Sequence, residues 1–380
     1  MKIDFINHAC FSIEEDNEML MFDPWFFGKV FNNSWSLLEE TEIHDLNLDS
    51  LKYIAISHEH PDHLHWPTLK KIREVCNHDI SVIVPKRNNK NVVNEIVKLG
   101  FKCAEMPPNR QFNVGKFKIT NFPTGHDSAY VVKCANKTIL NQNDCKLSAE
   151  QVFQIIRNYD KIDYHFIQFS LAGYYSNKDD HKALLEARSG HVDMIDHYKN
   201  RFRPRVTIPF ASYVYFCREE NSFLNDYVVN LGDLDPSYQL LAPGDEILED
   251  AYLSRNIKNI ETWNKNISNI EIFKSTQVTK EDILSVAKKF LSNIPNVGLQ
   301  KSIFSFYDID SNLVIDYPKN KVYFSKHSCT SIAKVCSCDM YSFFKFPWGA
   351  DTMNITSCFE VYNKNLWRQN LIFKDEIYER

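Results

Sequence analysis

The chain has 380 residues, a net charge of −5 and 44% hydrophobic residues, which is typical of a folded protein. Its length exceeds the usual domain size of about 100 to 200 residues and predicts two structural units. Because the net charge is not positive, we expect no nucleic-acid partner. The sequence contains neither a signal-like N-terminus nor an apolar run of about 18 residues, so we expect no membrane span and a cytoplasmic protein. The ten scattered cysteines are expected to be reduced thiols.

The first 210 residues have patterns typical of alternating strands and helices. Short runs of alternating apolar and polar residues predict a β-meander over the first 25 residues. Leu51 to Ser57 predicts a strand, and Pro67 marks the start of the following helix. Further strands are predicted at 81–85, 101–106, 117–119, 130–132, 138–140, 166–169 and 206–210, and further helices at 91–99, 148–159 and 180–201. A β-rich chain of this kind predicts a layered sandwich that presents its loops at one edge.

The pattern changes after Gly244. Residues 257–268 are polar and rich in asparagine, which predicts a linker or boundary. Beyond it, Lys280 to Leu291 has amphipathic helical spacing with Thr279 as N-cap, and 303–324 contains strands separated by turns. We therefore predict a first unit at 1–250 and a smaller α+β unit at 251–380.

A histidine-rich motif follows the strand that ends at Ser57. His58 and His60 are two residues apart, so on extended backbone their imidazoles point to the same side and can share one metal ion. After Pro61, Asp62 and His63 can project toward a second ion nearby. With 13 histidines in 380 residues, such a cluster is not expected by chance. The alternative is a solvated loop whose histidines cap the next helix.

Two later segments offer further ligands at the ends of predicted strands. His126 would complete a site with three histidines, and Asp144 would bridge two ions. A hydroxide held between two cations forms near neutral pH and stays nucleophilic, so this ligand set indicates two divalent transition metals. Imidazole and carboxylate ligands suit Zn but also accept Fe or Mn, so the ligand types leave the metal open.

The pattern His58-x-His60-x-Asp62-His63, with His126 and Asp144 downstream, resembles that of the metallo-β-lactamase superfamily. Several segments are similar to the β-lactamase-like part of CMP-N-acetylneuraminate hydroxylases. These are 23–31, 35–38, 63–69, 140–145 and 208–213. The resemblance covers residues 1 to about 250. It implies a four-layer αββα sandwich and, for the C-terminal unit, a sterol-carrier-like domain.

The sequence departs from the family pattern in two places. The hydroxylases resemble fusions with a Rieske iron–sulfur domain, but after Cys76-Asn77-His78 no Cys-x₂-His follows here. Hydroxylation would therefore need a separate reductase as partner. The last metal ligand of most members, a histidine, has no counterpart in 208–213. His165, His181 and Cys217 are candidates for its place, or the position stays open.

Three functions are compatible with these patterns. The first is a metal-dependent hydrolase in which a metal-bound hydroxide attacks an ester, lactone, amide or phosphodiester of a small metabolite, while Asp62 orients the water or accepts its proton. The second is an Fe-dependent oxygenase or hydroxylase acting on an activated sugar, such as a nucleotide sugar or surface-glycan precursor. The third is a non-catalytic metal-binding module.

Overall fold

The computed structural model describes residues 1–87, 89–250, 252–293, 300–327 and 330–378. The strands in chain order are β1 (Lys2–Asn7), β2 (Cys10–Glu15), β3 (Glu18–Phe22), β4 (Lys29–Val30), β5 (Trp35–Leu37), β6 (Leu51–Ala55), β7 (Ser81–Pro85), β8 (Lys102–Met106), β9 (Gln111–Val114), β10 (Phe117–Thr124), β11 (Asp127–Cys134), β12 (Lys137–Asn143), β13 (Tyr164–Gln168), β14 (Val206–Phe210), β15 (Val214–Phe216), β16 (Ser302–Phe306), β17 (Asn312–Asp316), β18 (Lys321–Ser325), β19 (Ala333–Val335) and β20 (Phe359–Val361). The helices are α1 (Trp66–Val75), α2 (Asn91–Lys98), α3 (Ala149–Asn158), α4 (His181–Phe202), α5 (Leu253–Ser268), α6 (Lys280–Ser292), α7 (Ser337–Lys345), α8 (Gly349–Thr356) and α9 (Lys364–Tyr378). None of the described helices is both long and apolar enough to cross a membrane.

Two six-stranded sheets face each other in the N-terminal unit. The first has the order β1-β2-β3-β6-β7-β8 and the second the order β14-β13-β12-β11-β10-β9. Aromatic side chains join their inner faces. Phe11 stacks on Phe22 of its own sheet at 4.7 Å and on Phe166 of the opposite sheet at 4.1 Å, measured between ring centroids. All three rings are fully buried, so they form the centre of the sandwich.

Helices cover both outer faces of this sandwich. Leu69 of α1 and Ile96 of α2 pack in one apolar cluster with the outer face of the first sheet. Ile155 of α3 and Ile195 of α4 join the apolar cluster that contains the second sheet. The predicted N-cap at Ser148 is confirmed, because its side chain accepts a hydrogen bond from the backbone of the third helical residue. The predicted four-layer αββα architecture is therefore confirmed.

The strand directions bring several strand ends to one edge of the sandwich. In the first sheet β3, β6 and β7 pair in parallel, and β1 runs in the same direction because β2 is antiparallel to both β1 and β3. In the second sheet β12, β13 and β14 are parallel, and β11 is antiparallel to β12. Residues that follow β1, β3, β6 and β12, or that precede β11, can therefore meet at this edge.

The C-terminal unit is α+β, as predicted. Its five-stranded sheet has the order β18-β17-β16-β19-β20, and its core extends from Ile283 of α6 to Trp367 of α9. A small third sheet, β15-β5-β4, belongs to the N-terminal unit. The sterol-carrier-like character of the C-terminal unit and the division at residue 250 stay predictions.

The predicted linker at 257–268 is wrong, because these residues belong to helix α5. Two asparagines of this helix, Asn256 and Asn259, are buried. The side chain of Asn256 accepts a hydrogen bond from the backbone N–H of Leu240 at 2.9 Å, and that of Asn259 donates to the carbonyl of Leu240 at 2.9 Å. Trp263 packs in the core of the sandwich. Polar composition was misleading because these amides bind the backbone of a neighbouring loop.

We expect Trp263→Ala to lower the free energy of unfolding by about 3 to 5 kcal/mol, because the indole is buried against Phe169 and Tyr213. Trp348 is 60% exposed, so Trp348→Ala is the matched control and should change stability little. Urea unfolding followed by circular dichroism measures both. Equal stability of the two variants would contradict the packing of α5 on the sandwich.

Candidate metal centre

The histidine motif lies at the sandwich edge, in the loop between β6 and α1. His58 follows the end of β6 by three residues, and the loop continues to His65, the N-cap of α1, whose side chain accepts a hydrogen bond from the N–H of Thr68. The Pro67 signal for the start of the helix is thus confirmed. The motif is fixed at one end by a central strand and at the other by a capped helix.

One group of ligand atoms forms around His58. The Nε2 atom of His58 lies 2.9 Å from Nδ1 of His60, 3.6 Å from Oδ2 of Asp144 and 3.7 Å from Oδ1 of Asp127. The four side chains offer ligand atoms that all lie within 4.8 Å of one another. His58 is buried, whereas His60, Asp127 and Asp144 are partly exposed, so this group faces the edge of the protein.

A second group forms around Asp62. Its Oδ2 atom lies 3.3 Å from Nε2 of His8 and 3.4 Å from Nε2 of His63. All three residues are buried. The Oδ2 atom of Asp144 is also 3.8 Å from Nε2 of His63, so Asp144 lies between the two groups.

The carboxylate of Asp23 helps to orient the histidine rings through a hydrogen-bond network on their Nδ1 side. Its carboxylate accepts hydrogen bonds from the N–H and the hydroxyl of Ser57, both at 2.7 Å, and contacts Nδ1 of His63 at 3.1 Å. Because the Ser57 hydroxyl donates to Asp23, it accepts from Nδ1 of His58 at 3.0 Å. In the rings of His58 and His63, Nδ1 therefore takes part in this network and Nε2 points toward the ligand groups.

Burial and the neighbouring charges shift the pKa values in these groups in different directions. Burial, reinforced by the charges of His63 and His60, lowers the pKa of His58 well below its ordinary value. Burial also opposes charge on His63, but the carboxylates of Asp62 and Asp144 outweigh it and raise its pKa. Burial and the Asp127 carboxylate raise the pKa of Asp144 to about 6, although His63 opposes this. Closely spaced carboxylates of this kind are typical of a cation site.

The residues fit a metal centre by two independent criteria. Ligands bound at about 2.0 to 2.2 Å in tetrahedral geometry lie roughly 3.3 to 3.6 Å apart, and the separations from Nε2 of His58 are 2.9 to 3.7 Å. In addition, Oδ1 of Asp62 and Oδ1 of Asp144 are buried without a hydrogen-bond partner among the described residues. Buried carboxylate oxygens need a donor or a cation, and a metal ion would satisfy them.

The structure brings together five of the six predicted ligands, namely His58, His60, Asp62, His63 and Asp144. His126 lies exposed in the turn before β11, and its neighbour Asp127 joins the group instead. The register that pairs Tyr130 with Asn141 places Asp127 level with Asp144. His126 precedes the strand and is exposed, whereas Asp127 is the first residue of β11 and joins the group. The complete predicted ligand set stays a prediction.

His8 joins the second group, although no pattern in the sequence predicted it there. Of the three candidates for the missing ligand, His165 contacts Oε1 of Gln142 at 3.0 Å, His181 contacts the hydroxyl of Tyr227, and Cys217 donates to the carbonyl of Asn33. None of them joins a ligand group within the described parts of the chain. His8 follows β1, and the available signal was a lone histidine in a turn at the end of an edge strand.

Comparison with known proteins agrees with this geometry. Residues 2–144 match the model of a family described as "Beta-lactamase superfamily domain". The match is to this part of the chain, which contains the histidine motif. A cytidine monophosphate-N-acetylneuraminic acid hydroxylase from Xenopus laevis is 40% identical over 75 residues, which are 20% of this chain and 13% of the relative. An inactive human protein of the same name is 40% identical over 73 residues, 19% of this chain and 15% of the relative. The chain thus matches only a small part of these relatives.

Solved structures also resemble the chain. The diiron β-hydroxylase CmlA from Streptomyces venezuelae superposes with a TM-score of 0.43 at 13% identity, covering 72% of this chain and 53% of the other. A possible metal-dependent hydrolase from Veillonella parvula superposes with a TM-score of 0.46 at 11% identity, covering 65% of this chain and 98% of the other.

We expect Asp23→Ala to lower the free energy of unfolding by about 3 kcal/mol, because it leaves buried donors on Ser57 and His63 without their acceptor. Transition-metal affinity should fall by about 10- to 100-fold, as is usual when groups behind the ligands are removed. Denaturant unfolding and chelator competition measure the two effects. Asp79→Ala, at an exposed position, is the control, and wild-type affinity in Asp23→Ala would show that the network does not orient the ligands.

Proposed function

We propose that the chain is a metal-dependent hydrolase with a dinuclear centre. The observation that carries this proposal is the position of Asp144, whose Oδ2 atom lies 3.6 Å from Nε2 of His58 and 3.8 Å from Nε2 of His63. One carboxylate oxygen is thus shared between two groups of nitrogen and oxygen ligands. Two-metal hydrolytic sites require such a shared ligand to keep two ions close together.

The two groups would hold one ion each. His58, His60 and Asp127 would bind the first ion, and His8, Asp62 and His63 the second. When bound, two such cations supply a hydroxide nucleophile near neutral pH and polarise the substrate oxygen under attack. The buried Oδ1 atom of Asp62 has no hydrogen-bond partner among the described residues, so this carboxylate can orient the attacking water and accept its proton.

The surroundings of His58 favour a small polar substrate. A cavity beside this histidine combines apolar Val84 and Pro85 with charged Glu59 and Arg87. Mixed linings of this kind suit small metabolites better than lipids. We propose an ester, lactone, amide or phosphodiester of a small metabolite, and a nucleotide sugar or surface-glycan precursor is the first class to test. All nine cysteines in the described residues are free thiols, which supports our proposal of a cytoplasmic protein.

An Fe-dependent oxygenase is the second candidate. The presence of Asp127 in the first group favours it. A carboxylate in place of a third histidine makes the first group richer in oxygen ligands, which shifts preference toward harder metals. The hydroxylase names of the similar proteins support the same candidate. An oxygenase also needs electrons, which we propose a reductase partner would supply.

Metal analysis of protein purified without added metal tests the dinuclear centre. We expect about two transition-metal ions per chain and their loss in the double variant His58→Ala/His60→Ala. Zinc-loaded protein that cleaves esters or phosphodiesters without consuming oxygen would support the hydrolase. Iron-loaded protein that consumes oxygen with a reductant and substrate would select the oxygenase. A double variant that keeps its full metal content would contradict both.

Single substitutions test the ligands that the structure adds. We expect His8→Ala to weaken binding of the second ion and Asp127→Ala that of the first, because each removes a ligand atom. His165→Ala is the control for His8, since His165 is also buried, and His126→Ala is the control for Asp127. Titration with Zn²⁺ in the presence of a competing chelator gives the affinities. If His126→Ala lowered the affinity for Zn²⁺ more than Asp127→Ala did, the original prediction of His126 as a ligand would stand.

A further inference from the structure

The turn after β4 has an unusual backbone conformation. Phe31, Asn32 and Asn33 have φ angles of 50°, 54° and 57°. Left-handed backbone is uncommon for residues other than glycine, and three in succession including a bulky phenylalanine are held only when the surroundings fix them. Asparagine tolerates this region better than most residues, so Phe31 is the position that most needs support.

Contacts from both units of the chain supply that support. From the N-terminal unit, the side chain of Cys217 donates to the carbonyl of Asn33 at 3.2 Å, and its backbone N–H donates to the carbonyl of Ser34 at 3.0 Å. From the C-terminal unit, Oδ1 of Asp339 accepts a hydrogen bond from Nδ2 of Asn32 at 2.9 Å. The turn is therefore fixed through its backbone by one unit and through a side chain by the other.

Asp339 is itself held in place. It is 1% exposed, and its two carboxylate oxygens lie 3.0 and 2.9 Å from Nη1 of Arg218, which is 2% exposed. The Nε atom of Arg218 donates to the hydroxyl of Ser275 at 2.7 Å. A buried, hydrogen-bonded ion pair has a defined geometry, so Asp339 presents its carboxylate to Asn32 in one fixed position.

The other side of the turn reaches the metal centre. The ring of Phe31 contacts the ring of His60 at 5.9 Å between centroids, with an angle of 72° between the planes. His58 and His63 are oriented by hydrogen bonds to their Nδ1 atoms. The ring of His60 hydrogen-bonds to His58 and packs against its ring at 4.6 Å between centroids. Phe31 is its ring contact from outside the ligand group among the described residues, and it limits rotation on that side.

We infer that the C-terminal unit positions the metal ligand His60 through the hydrogen bond between Asp339 and Asn32 and the contact between Phe31 and His60. Asn32 and Asp339 are positioning residues in this arrangement and belong to neither ligand group. The inference rests on the proposed metal centre. According to the inference, residues of the C-terminal unit help to hold the ligand His60 in position.

Asn32→Asp tests the inference in the full-length protein. The change keeps the size of the side chain and its tolerance of left-handed backbone, but replaces the donor with a carboxylate that faces Asp339. Asn33→Asp is the matched control, because it makes the same change at the next residue, which has the same conformation and is exposed. Asn32→Gly is a second variant that removes the hydrogen bond without repulsion and relaxes the backbone.

The readouts are affinity for Zn²⁺ and Co²⁺ by chelator competition, the visible absorption spectrum of the Co²⁺ form, and deuterium uptake of the segment 29–37 in metal-free protein. We expect Asn32→Asp to lower affinity about 5-fold or more and to change the Co²⁺ spectrum, with a smaller effect in Asn32→Gly and wild-type behaviour in Asn33→Asp. Thermal unfolding of the metal-free proteins checks that the variants remain folded.

The possible failures are distinguishable. If the wild-type protein binds neither metal, the proposed metal centre is wrong, whatever the uptake of the segment shows. If the wild-type protein binds metal but both Asn32 variants keep its affinity and spectrum, the metal centre stands and the inference is overturned. Increased deuterium uptake without any change at the metal would likewise overturn it, because the turn would then be loosened without consequence for His60.

Discussion

The arrangement of the proposed metal centre depends on one buried carboxylate, that of Asp23. A buried carboxylate is costly unless its oxygens are hydrogen-bonded, and this one accepts bonds from the backbone and hydroxyl of Ser57 and, at 3.0 Å, from the amide of Asn143. Asp23 follows β3, Ser57 follows β6, and Asn143 ends β12 of the opposite sheet. A single side chain thus joins the two sheets at the edge where the ligand groups meet. Its contact with Nδ1 of His63 extends the same constraint to the ligands.

The three motif histidines are held by different means. Hydrogen bonds from the sandwich fix His58 and His63, so these rings are oriented by the residues that join the sheets. His60 is partly exposed and packs against Phe31 in a turn that both units support. Side chains fixed by hydrogen bonds have little freedom, whereas a ring held by packing depends on the integrity of the surrounding surface. Under our inference, the first group of proposed ligands is the one that the C-terminal unit would influence, through Phe31 and His60.

Sequence patterns were reliable where a residue's role depends on its immediate neighbours. Alternation and helix caps placed the meander, the strand before His58 and the helix that starts after Ser148, because these signals act over a few residues. They failed at α5. The polar composition of 257–268 suggested a linker or boundary, but the amides of Asn256 and Asn259 bind the backbone of Leu240. A polar residue that is satisfied by a distant loop cannot be recognised from composition.

The same distinction applies to the centre itself. The sequence by itself determined the histidine motif and the sandwich architecture, because His58, His60, Asp62 and His63 lie within six residues of one loop after a strand. Only the tertiary structure decided that His8, Asp23 and Asp127 belong to the same place. His8 and Asp127 are 119 positions apart in the sequence. These residues meet because parallel and antiparallel pairing brings the ends of β1 and β3 and the start of β11 to one edge. The choice of Asp127 over His126 has the same origin, since the start of β11 and the register that places Asp127 level with Asp144 are set by pairing with β12.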